Sequence, residues 1–196
     1  SFLSLEEISA AVSEGARLGI PTAAHCIGGQ GLKDCIDGGV DVIEHMYMAS
    51  EQDVERLAAS RCVVDLTSGI FLDPSREEFL SPANALKVRL NRSRVRENVA
   101  RIIKARLPFV LGTDAYHGFL YREVGYAVEL GADPVTAIQG VTSRAARVCR
   151  LEDRIGKLEN GMEADIIAVE GNPLEDVSRL SQVGLVMKGG VVYRQP

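Results

Sequence analysis

No apolar run in this sequence is long enough to cross a bilayer, and its first residues carry no charged-then-apolar leader. The expectation is a soluble, globular, cytoplasmic protein. Basic charge is in deficit, 22 Lys and Arg against 27 Asp and Glu for a net charge of -5, which argues against nucleic acid or an anionic membrane as partner. The one dense basic stretch, KVRLNRSRVRENVARIIKAR from Lys87, has no interleaved aromatic rings of the kind that stack on bases. Leu86, Leu90, Val99, Ile102 and Ile103 recur around it at near-helical spacing, as in an amphipathic helix with a solvated basic face. Cys26, Cys35, Cys62 and Cys149 form no C-x-x-C pair, which removes a zinc knuckle or dithiol redox motif and leaves reduced, mostly packed thiols. There is no low-complexity linker, and no repeat beyond a strand-helix period.

What is present alternates. SLEE at Ser4 to Glu7 is a capping box opening a helix with Ile8, Ala11, Val12 and Ala16 on its apolar face, closed by Gly19 and Pro21. A strand over Thr22 to Cys26, a helix over Leu32 to Asp37 stopped by Gly38 and Gly39, and a strand over Val40 to His45 follow. Ser50 caps the next helix, CVVDLT is a third strand, Ser68 to Pro82 a longer loop, and Pro108 to Gly112 a fourth strand after the basic helix. Strands alternating with helices across short connections are parallel βαβ units. Beyond Asp114 come a helix near Leu120 to Leu130 and a helical stretch DPVTAIQGVTSRAARV with Asp133 as N-cap and Pro134 at its first position. Three short strand-like runs then end the chain, ADIIAVE, VGLVMKG and GVVYRQ, so a boundary is expected near Leu151 to Gly161.

Two histidines and an aspartate stand at the C-terminal ends of these strands: His25 in PTAAHCIGG, His45 in DVIEHMYMA and Asp114 in VLGTDAYHG. Parallel α/β folds carry out their chemistry at that end. Imidazole and carboxylate are the donors that zinc and related divalent ions take, and a carboxylate there can also accept a proton from attacking water. Side chains alternate along a strand, which turns Cys26 toward the helices if His25 faces inward, and turns Glu44 away from His45 into a structural ion pair.

Taken together, AAHCIGG, VDVIEHMYMA, LGTDAYHG and DRIGKLENGMEADIIAVEGNPLEDV resemble the C-terminal part of the amidohydrolase superfamily, nearest its imidazolonepropionase-like and Xaa-Pro dipeptidase-like metal hydrolases. The resemblance covers essentially the whole chain. It implies an α/β fold: the C-terminal half of a (β/α)8 TIM-type barrel, strands five to eight, in residues 1–155, then short strands of a composite β-sandwich in 156–196. It also implies a metal-dependent hydrolase acting on a C–N bond, of a cyclic amide or peptide-like small-molecule substrate, through metal-activated water. His25, His45 and Asp114 would be metal ligands at strands five, six and eight, with Asp114 and His45 catalytic. His117 and Tyr116 would touch substrate; Met46 and Tyr116 stand where glycine is usual and would crowd the pocket mouth. The family's strand-one His-x-His pair and its upstream lysine are absent from this sequence, which leaves one or two ions, zinc by preference, open.

A catalytically incomplete half-barrel acting as a binding or assembly module is the alternative. A Schiff-base lyase is disfavoured, since no lysine stands at a strand end. Half a barrel has two edge strands, which invites homo-oligomerisation or pairing with the N-terminal half. Asp165 and Ser143 read as structural, the first in a turn before a strand and the second in a helix.

Overall fold

The computed structural model describes residues 2–114 and 117–195, with the side chain of residue 117 left out. Ser4 opens α1 (Leu5–Leu18) through a complete capping box with Glu7, and Gly19 closes it with a left-handed backbone, φ 71°. Next come β1 (Ala23–Cys26), α2 (Gln30–Gly38), β2 (Val42–His45), α3 (Glu51–Ala58) and β3 (Val63–Leu66). Ser50 caps α3 with a second capping box, closed by Asp53. After α4 (Gly69–Leu72) and a 3₁₀ turn (Pro74–Phe79), α5 (Pro82–Lys104) leads into β4 (Phe109–Leu111).

The four strands form one parallel sheet in the order β1-β2-β3-β4, so β1 and β4 are its outer strands. Ile43, Val64 and Leu66 lie on the sheet under helices that contribute Leu32, Val95, Val99 and Ile102, all at most 1% exposed. Burying each such side chain is worth about 1.5–3 kcal/mol relative to leaving it in water. Cys26 and Cys35 are buried in that core, and Cys62 donates its S–H to the Val40 carbonyl at 3.1 Å; only Cys149 is exposed. A 3₁₀ turn (His117–Phe119) leads into α6 (Leu120–Glu129), then α7 (Pro134–Gly140) and α8 (Ser143–Val148). The tail pairs β5 (Ile166–Val169), β6 (Val183–Lys188) and β7 (Val191–Arg194) as an antiparallel sheet, and the 3₁₀ turn between β5 and β6 packs on α6. Among the described residues no helix is long and apolar enough to cross a membrane.

Several expectations need correction. DPVTAIQGVTSRAARV is two helices, because Thr142 leaves helical geometry (φ -130°, ψ -101°) and its hydroxyl bonds back to the Ile138 carbonyl. The segment expected as a loop after β3 is mostly helical: Asp73 caps the 3₁₀ turn and Pro74 occupies its first position. On α5 the buried stripe runs through Ala85, Val88, Val95, Val99 and Ile102, whereas Leu86 and Leu90 are exposed. Nor is its basic face all solvated. Arg92 donates to the Phe71 carbonyl at 2.6 Å and Arg101 to the Ala49 carbonyl at 3.2 Å, tying α5 to α4 and to the loop after β2. Asp165 does bond a backbone N–H, but that of Gly189 in the β6–β7 turn.

Asp73 also makes an acid-sensitive contact. Burial alone would raise its carboxyl, but bonds from the Ser75 hydroxyl, Arg122 and the Ser75 N–H outweigh burial and hold it below the usual range. A depressed carboxyl contributes stability above its unfolded pKa of about 3.9 and loses it as pH falls through the folded value. Asp73→Asn is therefore expected to cost roughly 1–3 kcal/mol at pH 7, with the difference from wild type shrinking toward pH 2. Urea melts at both pH values check this; an equal difference at both would contradict it.

Candidate metal and hydrolase site

At the C-terminal ends of β1 and β2 the structure brings His25 and His45 together, with ring centroids 4.4 Å apart at 69°. Strand alternation alone would not do this. His25 is in register with Glu44, not with His45, and Glu44 with Asp65, so those three share one face of the sheet. His45 departs from strand geometry at φ 80° and Met46 follows at 55°, a left-handed pair that swings the imidazole back toward His25. Met46, expected at the pocket mouth, is instead fully buried in the apolar core.

His45 is buried, and its orientation is fixed by bonded neighbours. Its Nδ1 lies 2.6 Å from Thr67 Oγ1, and Tyr47 stacks on the ring with centroids 5.1 Å apart. Tyr47 donates its O–H to the Thr67 carbonyl at 2.9 Å and lies 2.5 Å from Thr67 Oγ1. In the arrangement where the tyrosine proton lies on the carbonyl, Thr67 donates to Tyr47 and its Oγ1 accepts from His45 Nδ1–H. That leaves the Nε2 lone pair of His45 free for a ligand. Burial first, then His25, lowers the His45 pKa, which keeps the imidazole neutral, and Asp114 opposes them. Asn98 of α5 supports the same loop by donating to the Tyr47 carbonyl at 2.8 Å.

Among the described residues Glu44 forms no ion pair, and it is not turned away from the site. It faces Asp65 on the open face of the sheet. Burial, and after it the Asp65 carboxyl, push Glu44 up to about 8. Burial also raises Asp65, whose Oδ1 is a buried oxygen without a hydrogen-bond partner among the described residues. Gly112 makes room for this group, since a Cβ there would stand 2.6 Å from Asp65 Oδ2.

Asp114 follows β4 in the left-handed region, φ 58°, and is exposed. Its charge acts on His45, Glu44, Asp65 and Tyr47, which places it at the same end of the sheet. Tyr116 and the side chain of His117 lie outside the described residues. Among the described residues no three His, Cys, Asp or Glu side chains converge on a point that could hold a metal ion. The neighbouring imidazoles suit a zinc-type ion in kind but supply two donors where a tetrahedral shell needs four.

Sequence reasoning passed over Tyr47, Thr67 and the Glu44–Asp65 pair. Thr67 had a legible signal, a hydroxyl at the end of CVVDLT; the other contacts depend on strand register.

A family model described as the amidohydrolase family matches residues 3–193. Ochratoxinase of Aspergillus niger is 33% identical over 204 residues, covering 97% of this chain and 42% of that protein. Imidazolonepropionase of Desulfotalea psychrophila is 25% identical over 151 residues, or 74% of this chain and 32% of the relative. Among solved structures, a Xaa-Pro dipeptidase with bound methionine in its active site superposes with a TM-score of 0.88 at 30% identity, over 98% of this chain and 49% of that one. The A. niger ochratoxinase structure gives a TM-score of 0.83 at 30% identity, over 99% and 46%. The chain thus spans about half the length of these solved relatives or less.

Proposed function

This chain belongs to the amidohydrolase family, and from that premise we propose that it supplies strands five to eight of a (β/α)8 barrel to a metal-dependent hydrolase of an amide or peptide-like C–N bond. Residues 1–155 are the barrel part, and 156–196 contribute strands to a small β-sandwich. The observation that carries the reading is the approach of His25 and His45 at adjacent strand ends, with His45 Nε2 left free by the Thr67 contact. His25 and His45 would hold a divalent ion, zinc by preference; Asp114, which does not converge with them here, would join as a third donor only once the barrel's other half closes the ring and supplies the remaining ligands. Such an ion polarises a scissile carbonyl and lowers the pKa of water.

The chain's own residues do the rest. Asp114 accepts the proton of the attacking water and returns it to the leaving nitrogen. Thr67 and Tyr47 keep His45 from rotating. Tyr116 and His117 contact substrate, so His117→Ala should mainly raise KM. The test is turnover, by the full-length protein, of Xaa-Pro dipeptides, N-acyl amino acids and cyclic amides, abolished by chelation and restored by zinc. Absence of metal-dependent hydrolysis across that panel would remove the reading.

A second reading, a binding or assembly module without catalysis, is favoured by the lack of a converged three-ligand group among the described residues. The metal content of this 196-residue chain bears on both. With two adjacent imidazoles and an exposed Asp114, zinc is expected to be weak and substoichiometric. One tightly held zinc per chain after dialysis would show a complete site. The outer strands β1 and β4 should also drive self-association of this chain, and a monodisperse monomer by light scattering would argue against it.

A further inference from the structure

A ladder of four charges lies beneath the exit of β4, and the mechanism above does not use it. Arg76, from the 3₁₀ turn after β3, is 1% exposed, and Glu123 of α6 is equally buried. Arg76 Nη2 donates to Glu123 Oε1 at 3.1 Å, and its Nη1 donates to the Thr113 carbonyl at 3.3 Å. On its other side Arg76 Nε faces Asp73 Oδ2 at 3.8 Å, and Asp73 accepts from Arg122 at 2.5 Å. The order Glu123, Arg76, Asp73, Arg122 alternates in sign when Glu123 is ionised, although burial pushes its carboxyl up to about 7 against the pull of the Gly69 N–H and Arg76. Glu123 also accepts the Gly69 N–H at 3.0 Å, which anchors the start of α4 to the ladder.

The ladder grips the Asp114 segment from both sides. Thr113, immediately before Asp114, is held through its carbonyl by Arg76. Phe119, after it, lies under two of the same guanidinium groups, 4.4 Å from Arg122 and 5.7 Å from Arg76. Between these holds Asp114 keeps a left-handed backbone, a conformation that a non-glycine residue adopts at some cost and that its surroundings must impose. Stability alone is a poor account of the ladder, since a buried ion pair often stabilises no better than apolar side chains of the same size. What it adds is direction: a guanidinium fork bonds two acceptors at fixed angles, as an ammonium cannot.

We propose that Arg76 is a positioning residue, whose guanidinium, shared between the Thr113 carbonyl and the Glu123 carboxylate, sets the backbone from which Asp114 reaches the reacting centre. The catalytic part of this inference rests on the functional reading above; the positional part does not. Two variants of the full-length protein test it. Arg76→Met/Glu123→Gln removes both buried charges, roughly keeps their volume and leaves the Gly69 N–H an acceptor. Arg76→Lys keeps the charge and loses the fork. Arg76→Lys leaves a buried acceptor without its donor and should lower the melting temperature by several degrees, the double variant by less, while amide hydrogen exchange at Gly112, whose N–H donates to the Leu66 carbonyl at 3.1 Å, should accelerate at least tenfold in both. kcat should fall roughly 10-fold to 100-fold with KM little changed, as expected when a catalytic group is displaced by about an ångström.

Unchanged exchange at the Gly112 amide in both variants would overturn the proposal, as would wild-type kcat in a variant with accelerated exchange. If the double variant fails to fold, Arg76→Lys decides alone. If the wild-type protein hydrolyses nothing, the functional reading fails, and the exchange measurement still shows whether Arg76 holds the segment.

Discussion

Asp114→Asn in the full-length protein is expected to lower kcat by roughly 10²-fold to 10⁴-fold, the range for losing a positioned general base. The carboxylate and the amide have nearly the same shape, so what changes is the ability to hold a proton and the charge offered to the metal. An ionised carboxylate only accepts, and can take a proton from water and later release it; an amide cannot hold one. Asp114 stands in an open position at the β4 exit, reachable by water, and its charge is felt by His45 and by the Glu44–Asp65 pair. Some of the loss could arise from weaker metal binding, so metal content is measured on the same sample. A variant that kept its metal and turned over a good substrate at near wild-type rate would rule out Asp114 as the proton carrier. His117→Ala, with its effect on KM, is the comparison that separates a shuttle from a general disturbance of the loop.

The positions of the strands were legible because each is a short apolar run closed by glycine or a capping residue, as in PTAAHCIGG and in the Ser50 box. The identity of the residues at their ends was legible for the same reason, since the C-terminal end of a parallel strand can be counted along the chain. Which way those residues point was less accessible. Alternation correctly sends Cys26 into the helical layer, but it fails at Glu44 and His45, because the left-handed backbone at His45 and Met46 ends the strand's two-residue period one residue early. VIEHMYM itself carries no glycine to signal a positive φ; the one hint was that Met46 stands where the resembling family usually has glycine. The helical reading of α5 failed at Leu86 and Leu90 for another reason. Either of two apolar stripes fitted the first three turns, and the packing of α4 against α5 selects the one through Ala85 and Val88. The charge ladder was invisible because its members are separated by up to fifty residues and each looks, in sequence, like an ordinary surface charge.

The ladder also makes a strong prediction about stability at a residue with no side chain. Gly69→Ala is expected to destabilise the protein by roughly 3 kcal/mol or more, from overpacking and a disturbed buried ion pair. A Cβ on Gly69 would stand 2.4 Å from Glu123 Oε1 and 2.5 Å from Arg76 Nη2. Both atoms belong to buried side chains already bonded to each other, and Glu123 also takes the Gly69 N–H, so neither can withdraw without leaving a partner unpaired. In a chain of this length the loss corresponds to roughly 6–12 °C in melting temperature. Gly125→Ala provides the contrast. It lies within α6, nothing stands within 4 Å of its added Cβ, and a helix-interior glycine is worth about 0.5–1 kcal/mol less than alanine. Gly125→Ala should therefore raise stability by that amount. If denaturant titration placed Gly69→Ala within 0.5 kcal/mol of wild type, then Arg76 and Glu123 would have room to move, and a ladder with that freedom could not hold Thr113 and Asp114 in place.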